Sequence, residues 1–277
     1  MPDPSVRRSA LSTVLTATAL DPSRAPLLVA LDFDGTLAPL QDDPQASRIL
    51  PEGVAVLERL AAAGVHLALV SGRGLATLAQ LAQVPVGTFL VGSHGGELGQ
   101  VRDEGLGLLD TPETALTDDH VRLLAAAGEQ LSLVAQGRQG VWVEVKPAAV
   151  VMHTRVADDD VAEQALTQAR TVGARLGTQV LEGKDVVELA VLHVDKGTAV
   201  ASLRATLGAT TVVFAGDDRT DENVQARLGP HDVGIKVGPG ATLAKFHVDD
   251  PQAVVAALEV LADALTTGPG AANGPTG

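Results

Sequence analysis

Four apolar runs share one layout: Leu27 to Leu31 ends at Asp32, Val65 to Val70 at Ser71, Thr88 to Val91 at Gly92-Ser93, and Thr211 to Ala215 at Gly216-Asp217. Continuous rather than alternating hydrophobicity marks strands buried on both faces, as in a parallel sheet covered by helices. The segments between them carry helical spacing. Pro51-Glu52 opens one helix, Val54, Leu57 and Leu60 line its face, and Gly64 stops it. Leu75, Leu78 and Leu81 repeat the pattern after the second run, and Val200, Leu203 and Leu207 precede the fourth, closed by Gly208. Strands alternating with helices imply right-handed crossovers, hence an α/β chain with a doubly wound, Rossmann-like parallel sheet.

Between about Thr111 and His193 the pattern changes. Thr117 caps a helix with Asp118 and Asp119 in its first turn and Val121, Leu124, Gly128 and Leu131 on one face. Strict alternation follows, with Val141, Val143 and Val145 on one face and Trp142, Glu144 and Lys146 on the other. A second strand runs from Val150 to Arg155, Asp158 to Leu176 is another helix, and Val180 to Leu192 forms a hairpin turning at Gly183-Lys184. This block is expected to be an inserted α+β cap domain with one polar sheet face. The organisation expected is an N-terminal helical extension (1–25), a core in two parts (26–112 and 194–266), the insert (113–193) and a disordered tail (267–277).

The 277 residues carry 34 acidic and 20 basic side chains, a formal charge of −14, the wrong sign for a protein that tracks nucleic acid or an anionic membrane. There is no cysteine, which excludes disulfides, thiolate metal sites and a cysteine nucleophile. No run approaches the ~20 apolar residues of a membrane span. Arg7-Arg8 before Ser9 to Leu20 is too short and hydroxyl-rich for a signal peptide and reads as a helix. A soluble, cytoplasmic monomer acting on a small molecule is expected.

In open α/β sheets ligands sit beyond the carboxyl ends of the strands, and this sequence puts its polar residues there. Asp32 and Asp34 in Asp32-Phe-Asp-Gly-Thr36 are two apart at a strand end, so both can face one crevice, and two acids together need a cation or a shared proton. Gly216-Asp-Asp-Arg-Thr-Asp-Glu222 adds carboxylates at another strand end, hard oxygen donors suited to Mg2+. Ser71-Gly72-Arg73 supplies a hydroxyl and a glycine amide before a helix, a place for an anion, and Lys196 at a helix start can neutralise phosphate charge. Asp32 and Asp34 alone could equally be turn residues, and Arg73 reads first as an ion-pair partner.

Asp32-Phe-Asp-Gly-Thr36, Ser71, Lys196 and Gly216-Asp-Asp-x-x-Asp221, in that order, resemble the four motifs of the haloacid-dehalogenase-like phosphatases over about Leu27 to Asp250. Within that superfamily the chain is similar to the trehalose-6-phosphate phosphatases. The segments that carry this are Gly216 to Glu222, Gly92-Ser-His-Gly-Gly-Glu97, Val143-Glu-Val-Lys146 with His153-Thr-Arg155, and Gly183-Lys-Asp-Val-Val-Glu188. Val145 and Thr154 depart from the pattern, which has a polar and an aromatic residue there.

The resemblance implies a Mg2+-dependent phosphatase acting on trehalose 6-phosphate through an aspartyl-phosphate on Asp32, with Asp34 as general acid and base. Ser71, Gly72 and Lys196 would bind the transferred phosphoryl group. Mg2+ would be held by Asp32, the backbone carbonyl of Asp34 and the Asp217, Asp218, Asp221 cluster, with Asp217 and Asp221 competing as the direct ligand. Glu144, Lys146 and Glu188 would bind the distal sugar, with His94, Glu97 and Arg155 as further substrate contacts. Other sugar phosphates (sucrose 6-phosphate, a glucosylglycerate phosphate), a sugar phosphomutase and a silent sugar-phosphate sensor are the competing readings.

Overall fold

The computed structural model describes residues 4–109, 116–192 and 194–267. In chain order its elements are α1 (Pro4–Leu20), β1 (Leu27–Leu31), α2 (Pro51–Ala62), β2 (His66–Val70), α3 (Leu75–Leu81), β3 (Phe89–Gly92), β4 (Glu97–Arg102) and β5 (Gly105–Leu108). They continue with α4 (Asp118–Ala135), β6 (Trp142–Lys146), β7 (Ala149–His153), α5 (Asp159–Leu176), β8 (Gln179–Gly183) and β9 (Val186–Ala190). The chain closes with α6 (Lys196–Leu207), β10 (Thr211–Gly216), α7 (Glu222–Gln225), β11 (Val233–Val237), β12 (Phe246–Val248) and α8 (Pro251–Thr267). They form two compact units, one of Met1–Leu109 with Asp195–Gly277, the other of Asp110–Val194.

The first unit is built on an eight-stranded sheet in the order β12-β11-β10-β1-β2-β3-β4-β5. From β12 to β3 every pairing is parallel. All five residues of β1 are buried, because alternate side chains enter two different cores. Leu27, Val29 and Leu31 join Leu11 and Leu15 of α1, Val56 and Leu60 of α2, Leu78 of α3 and Leu258 of α8. Leu28 and Ala30 join Val200 and Leu203 of α6 and Val224 of α7. This is the doubly wound sheet the continuous apolar runs require. Beyond them the sheet gains an antiparallel edge hairpin, β4 and β5. Its sequence, Glu97-Leu-Gly-Gln-Val-Arg102 and Gly105-Leu-Gly-Leu108, has no sustained apolar run and gives no such signal.

The second unit has a four-stranded antiparallel sheet, β6-β7-β9-β8, in the repeated plan helix, strand, strand. Val150, Met152, Val187 and Leu189 face a core shared with Ala127 and Leu131 of α4 and Ala165 and Ala169 of α5. Thr117 caps α4, accepting from the His120 amide at 3.3 Å. Three local expectations change. Val121 is exposed, leaving Ala127 and Leu131 as the buried positions of α4. Val145, one residue before the end of edge strand β6, is 66% exposed despite the alternation. The β8–β9 turn falls on Lys184-Asp185, one residue later than Gly183-Lys184, and Asp185 takes a φ of +59°.

The 112/113 domain boundary, His193 and the tail from 268 lie outside the described residues; Thr267 itself is the last residue of α8. Among the described residues no helix is long and apolar enough to cross a membrane.

Candidate active site

The site of the first unit grows from the carboxyl ends of β1, β2 and β10. Asp32 follows β1, and its amide donates to the Ala215 carbonyl at 2.9 Å, so the chain leaves the sheet with Asp32 still anchored to β10. Three residues on, Gly35 has a φ of +74°, and a Cβ there would run into the Asp217 carboxylate. Glycine is required at this turn on both counts. Asp221 comes from the turn before α7, where the Asp218 carboxylate accepts from the Thr220 and Asp221 amides at 2.8 and 3.0 Å. Asp218 therefore shapes the loop.

Lys196, the first residue of α6, sends its ammonium between the two strand ends. Its Nζ lies 2.7 Å from Asp32 Oδ1 and 2.7 Å from Asp221 Oδ1, and all three side chains are buried. Asp195 positions it by capping α6, accepting from the Thr198 amide at 2.7 Å. Asp32, Asp217 and Asp221 each present a carboxylate oxygen, and these oxygens lie within 4.8 Å of one another. Burial pushes the Asp32 carboxyl up to about 7 although Lys196 opposes it. Burial, then the nearby Asp32 charge, pushes Asp221 up to about 8. Asp217 is raised as well, by burial and by Asp221 and Asp218. Burial works against the Lys196 charge, but Asp32 and Asp221 outweigh it and hold the ammonium firmly protonated. One buried ammonium facing three crowded carboxylates leaves negative charge to spare, and a divalent cation with hard oxygen preference fits that donor set.

Asp34 is placed differently from its neighbour. Its carboxylate is gripped by the Arg73 guanidinium in a two-point contact of 2.6 and 2.7 Å and stands apart from the three-carboxylate group. Arg73 also reaches Ser47 Oγ at 3.0 Å and lies over the Phe33 ring. Ser71 is buried after β2, its Oγ accepting from the Arg73 amide at 3.1 Å. Gly72 packs so closely under the His94 imidazole that a side chain there would displace the ring. His94 itself holds a positive φ of 55°. Glu97 is the first residue of β4. Its Oε2 accepts from Ser93 Oγ at 2.5 Å and from the Leu75 amide at 3.1 Å, so that oxygen ties the β3–β4 connection to the start of α3.

Arg73 is the ion-pair partner its sequence position suggests, and the aspartate it fixes is the second of the motif. One residue of this unit gives no signal of a role in the sequence. Lys236, buried in β11, donates to the Asp217 backbone carbonyl and steadies that loop from behind. Its only trace in the sequence is a lysine inside the apolar run Val233 to Val237.

In the second unit, Glu144 and Glu188 both pair in register with Val151, so they share one sheet face, the face turned away from α4 and α5. Lys146 joins Glu188 at 2.8 Å, and His153 joins Glu144 at 2.8 Å. Arg155 is exposed in the turn after β7 and makes no hydrogen bond or ion pair with a described residue.

A doubly wound sheet that gathers an aspartate, an ammonium and further carboxylates at its strand ends, with an α+β unit inserted between the second and third motifs, defines the haloacid-dehalogenase-like class. The sequence model of the trehalose-phosphatase family matches residues 30–254, and the chain belongs to that family. It is 36% identical over 256 residues to a trehalose-phosphate phosphatase of Mycobacterium avium, covering 87% of this chain and 63% of the relative. It is also 36% identical over 242 residues to a bifunctional trehalose-6-phosphate synthase/phosphatase of Thermoproteus tenax, covering 84% of this chain and 32% of that protein. The chain thus spans 63% and 32% of the lengths of these two relatives. A solved trehalose-6-phosphate phosphatase of Aspergillus fumigatus superposes with a TM-score of 0.65 at 25% identity, over 91% of this chain and 97% of that one.

Proposed function

We propose that this protein hydrolyses trehalose 6-phosphate to trehalose and phosphate with Mg2+ as cofactor. The observation that carries the reading is the buried Lys196 ammonium held at 2.7 Å from both Asp32 and Asp221, with Asp217 completing a three-carboxylate group. The names of the relatives supply the sugar.

Asp32 is the nucleophile: its carboxylate oxygen attacks phosphorus, the bond from phosphorus to the sugar oxygen breaks, and an aspartyl-phosphate remains. Asp34, which Arg73 holds beside the nucleophile in the resting protein, must let go of that contact and take up a proton to give it to the departing sugar oxygen, and then takes one from the water that hydrolyses the acyl phosphate. Ser71, the Gly72 amide and Lys196 hold the phosphoryl oxygens as charge develops on them. Asp32, Asp217 and Asp221, with the Asp34 backbone carbonyl, would hold Mg2+, which supplies charge neutralisation at the phosphoryl group. Glu144, Lys146 and Glu188 accept from and donate to sugar hydroxyls, a recognition mode that rejects analogues lacking them. Gly72, His94, Glu97 and Arg155 complete the proposed contacts.

The test is phosphate release from a panel of sugar phosphates, with Mg2+ and with excess chelator. Chelator-sensitive release from trehalose 6-phosphate supports the reading. Release from other sugar phosphates alone keeps the aspartate chemistry and moves the error to the sugar, whereas transfer of phosphate to a second sugar position makes the protein a mutase.

A further inference from the structure

The sheet face of the inserted unit holds two carboxylates, and each has its own cationic or hydrogen-bonding partner. Glu188, with a side chain 12% exposed, is held by Lys146. Glu144 is 49% exposed, and its Oε2 is held by His153 Nε2 at 2.8 Å. A half-exposed glutamate keeps one orientation only if its partner does, and a lone imidazole has two free torsions. Trp142 removes that freedom. Its ring lies parallel to the His153 ring, 4.8 Å between centroids and 5° between planes. The register explains the contact: Trp142 stands directly opposite His153 across β6 and β7, and Glu144 is two residues further along β6 on the same face. Trp142, His153 and Glu144 thus form a chain in which each group fixes the next.

We propose that Trp142 is a positioning residue that acts through His153 to hold the Glu144 carboxylate ready for sugar hydroxyls. The inference rests on the sugar-phosphate reading and adds to it how one face of the inserted unit is pre-organised. An aromatic stack flanked by a hydrogen bond is strong enough to bias a rotamer and weak enough to leave folding intact. Trp142 is the chain's one tryptophan and there is no tyrosine, so its emission reports this face alone.

Two measurements test it. In ligand-free protein, His153→Leu is expected to raise the Trp142 emission by removing the stacked imidazole, and Glu144→Gln to change it through that imidazole. Emission indifferent to both substitutions overturns the proposal whatever the substrate is. In kinetics on trehalose 6-phosphate, Trp142→Leu is expected to raise KM roughly three- to tenfold, with a smaller effect on kcat. Trp142→Phe, which keeps a stacking ring, should recover most of that loss. Equal loss in the two variants, or a fall in kcat matching the rise in KM, overturns it. Variants whose emission changes as expected, beside a wild-type protein that hydrolyses no sugar phosphate, bring down the proposed function, and with it the ligand this chain of contacts serves.

Discussion

The two units solve the problem of placing acids on a protein in opposite ways. In the first, Asp32, Asp221 and Lys196 are almost wholly buried and locked at 2.7 Å, so each charge exists only because its neighbours do. In the second, Glu144 is half-exposed and Glu188 buried on one sheet face, each beside a single partner rather than in a shared cluster. Burial raises the stakes of every charge, and an exposed face lowers them. The first arrangement suits forming and breaking a bond to phosphorus, where charge must be met at once. The second suits sorting one sugar from another.

The largest expected effect is Asp32→Asn, which removes the nucleophile while keeping the shape of the buried cluster. Turnover should vanish, read as phosphate release. Substantial residual release would move the chemistry away from Asp32. Next is Lys196→Met, which leaves two buried carboxylates facing each other. Loss of one partner of a buried ion pair costs about 3–5 kcal/mol, and protonation of Asp32 and Asp221, whose carboxyls are already pushed up to about 7 and 8, offsets part of it. A fall in stability of about 2–4 kcal/mol by urea unfolding, with turnover lost, is expected. A variant of unchanged stability would mean that the cluster is not held as described.

How much of this contrast was legible beforehand follows from the same physics. Continuous apolar runs ending in polar residues have few folds open to them, so β1, β2, β3 and β10 and the crevice at their ends were readable from hydrophobicity alone. Hairpin β4–β5 was not, because an edge pair needs little apolar surface and its glycines hide the period. Asp32, Lys196 and Asp221 were readable as motifs, but not their mutual contact, which depends on α6 and β10 arriving at one point in space. The partner of Asp34 illustrates the gap. Arg73 lies 39 residues from Asp34, and nothing in either segment names the other. In the insert, the i to i+2 alternation revealed Glu144 and Lys146 on one face, while the exposure of Val145 depended on β6 being an edge strand.

Glu144→Ala probes the half-exposed acid of the second unit. The KM for trehalose 6-phosphate should rise about ten- to hundredfold, as expected for losing a hydrogen bond to a charged group, with a smaller effect on a small aryl phosphate. Equal losses on both substrates would place Glu144 in the folding of the unit and erase the division of labour.

The smallest effect sharpens the contrast from the other side. Asp185, second residue of the β8–β9 turn, sits at a φ of +59°, which costs most side chains about 1–2 kcal/mol and aspartate less. Asp185→Gly removes that strain and adds unfolded-state entropy, two terms of opposite sign and similar size. The tertiary contacts the turn makes use its backbone: the Asp185 carbonyl accepts from the Thr154 amide at 2.9 Å and from Thr154 Oγ1 at 3.1 Å, and glycine keeps both. Stability by urea unfolding should therefore change by less than about 1 kcal/mol. A larger loss would show that the Asp185 carboxylate itself supports the turn, and that the insert's acids are coupled to its folding after all.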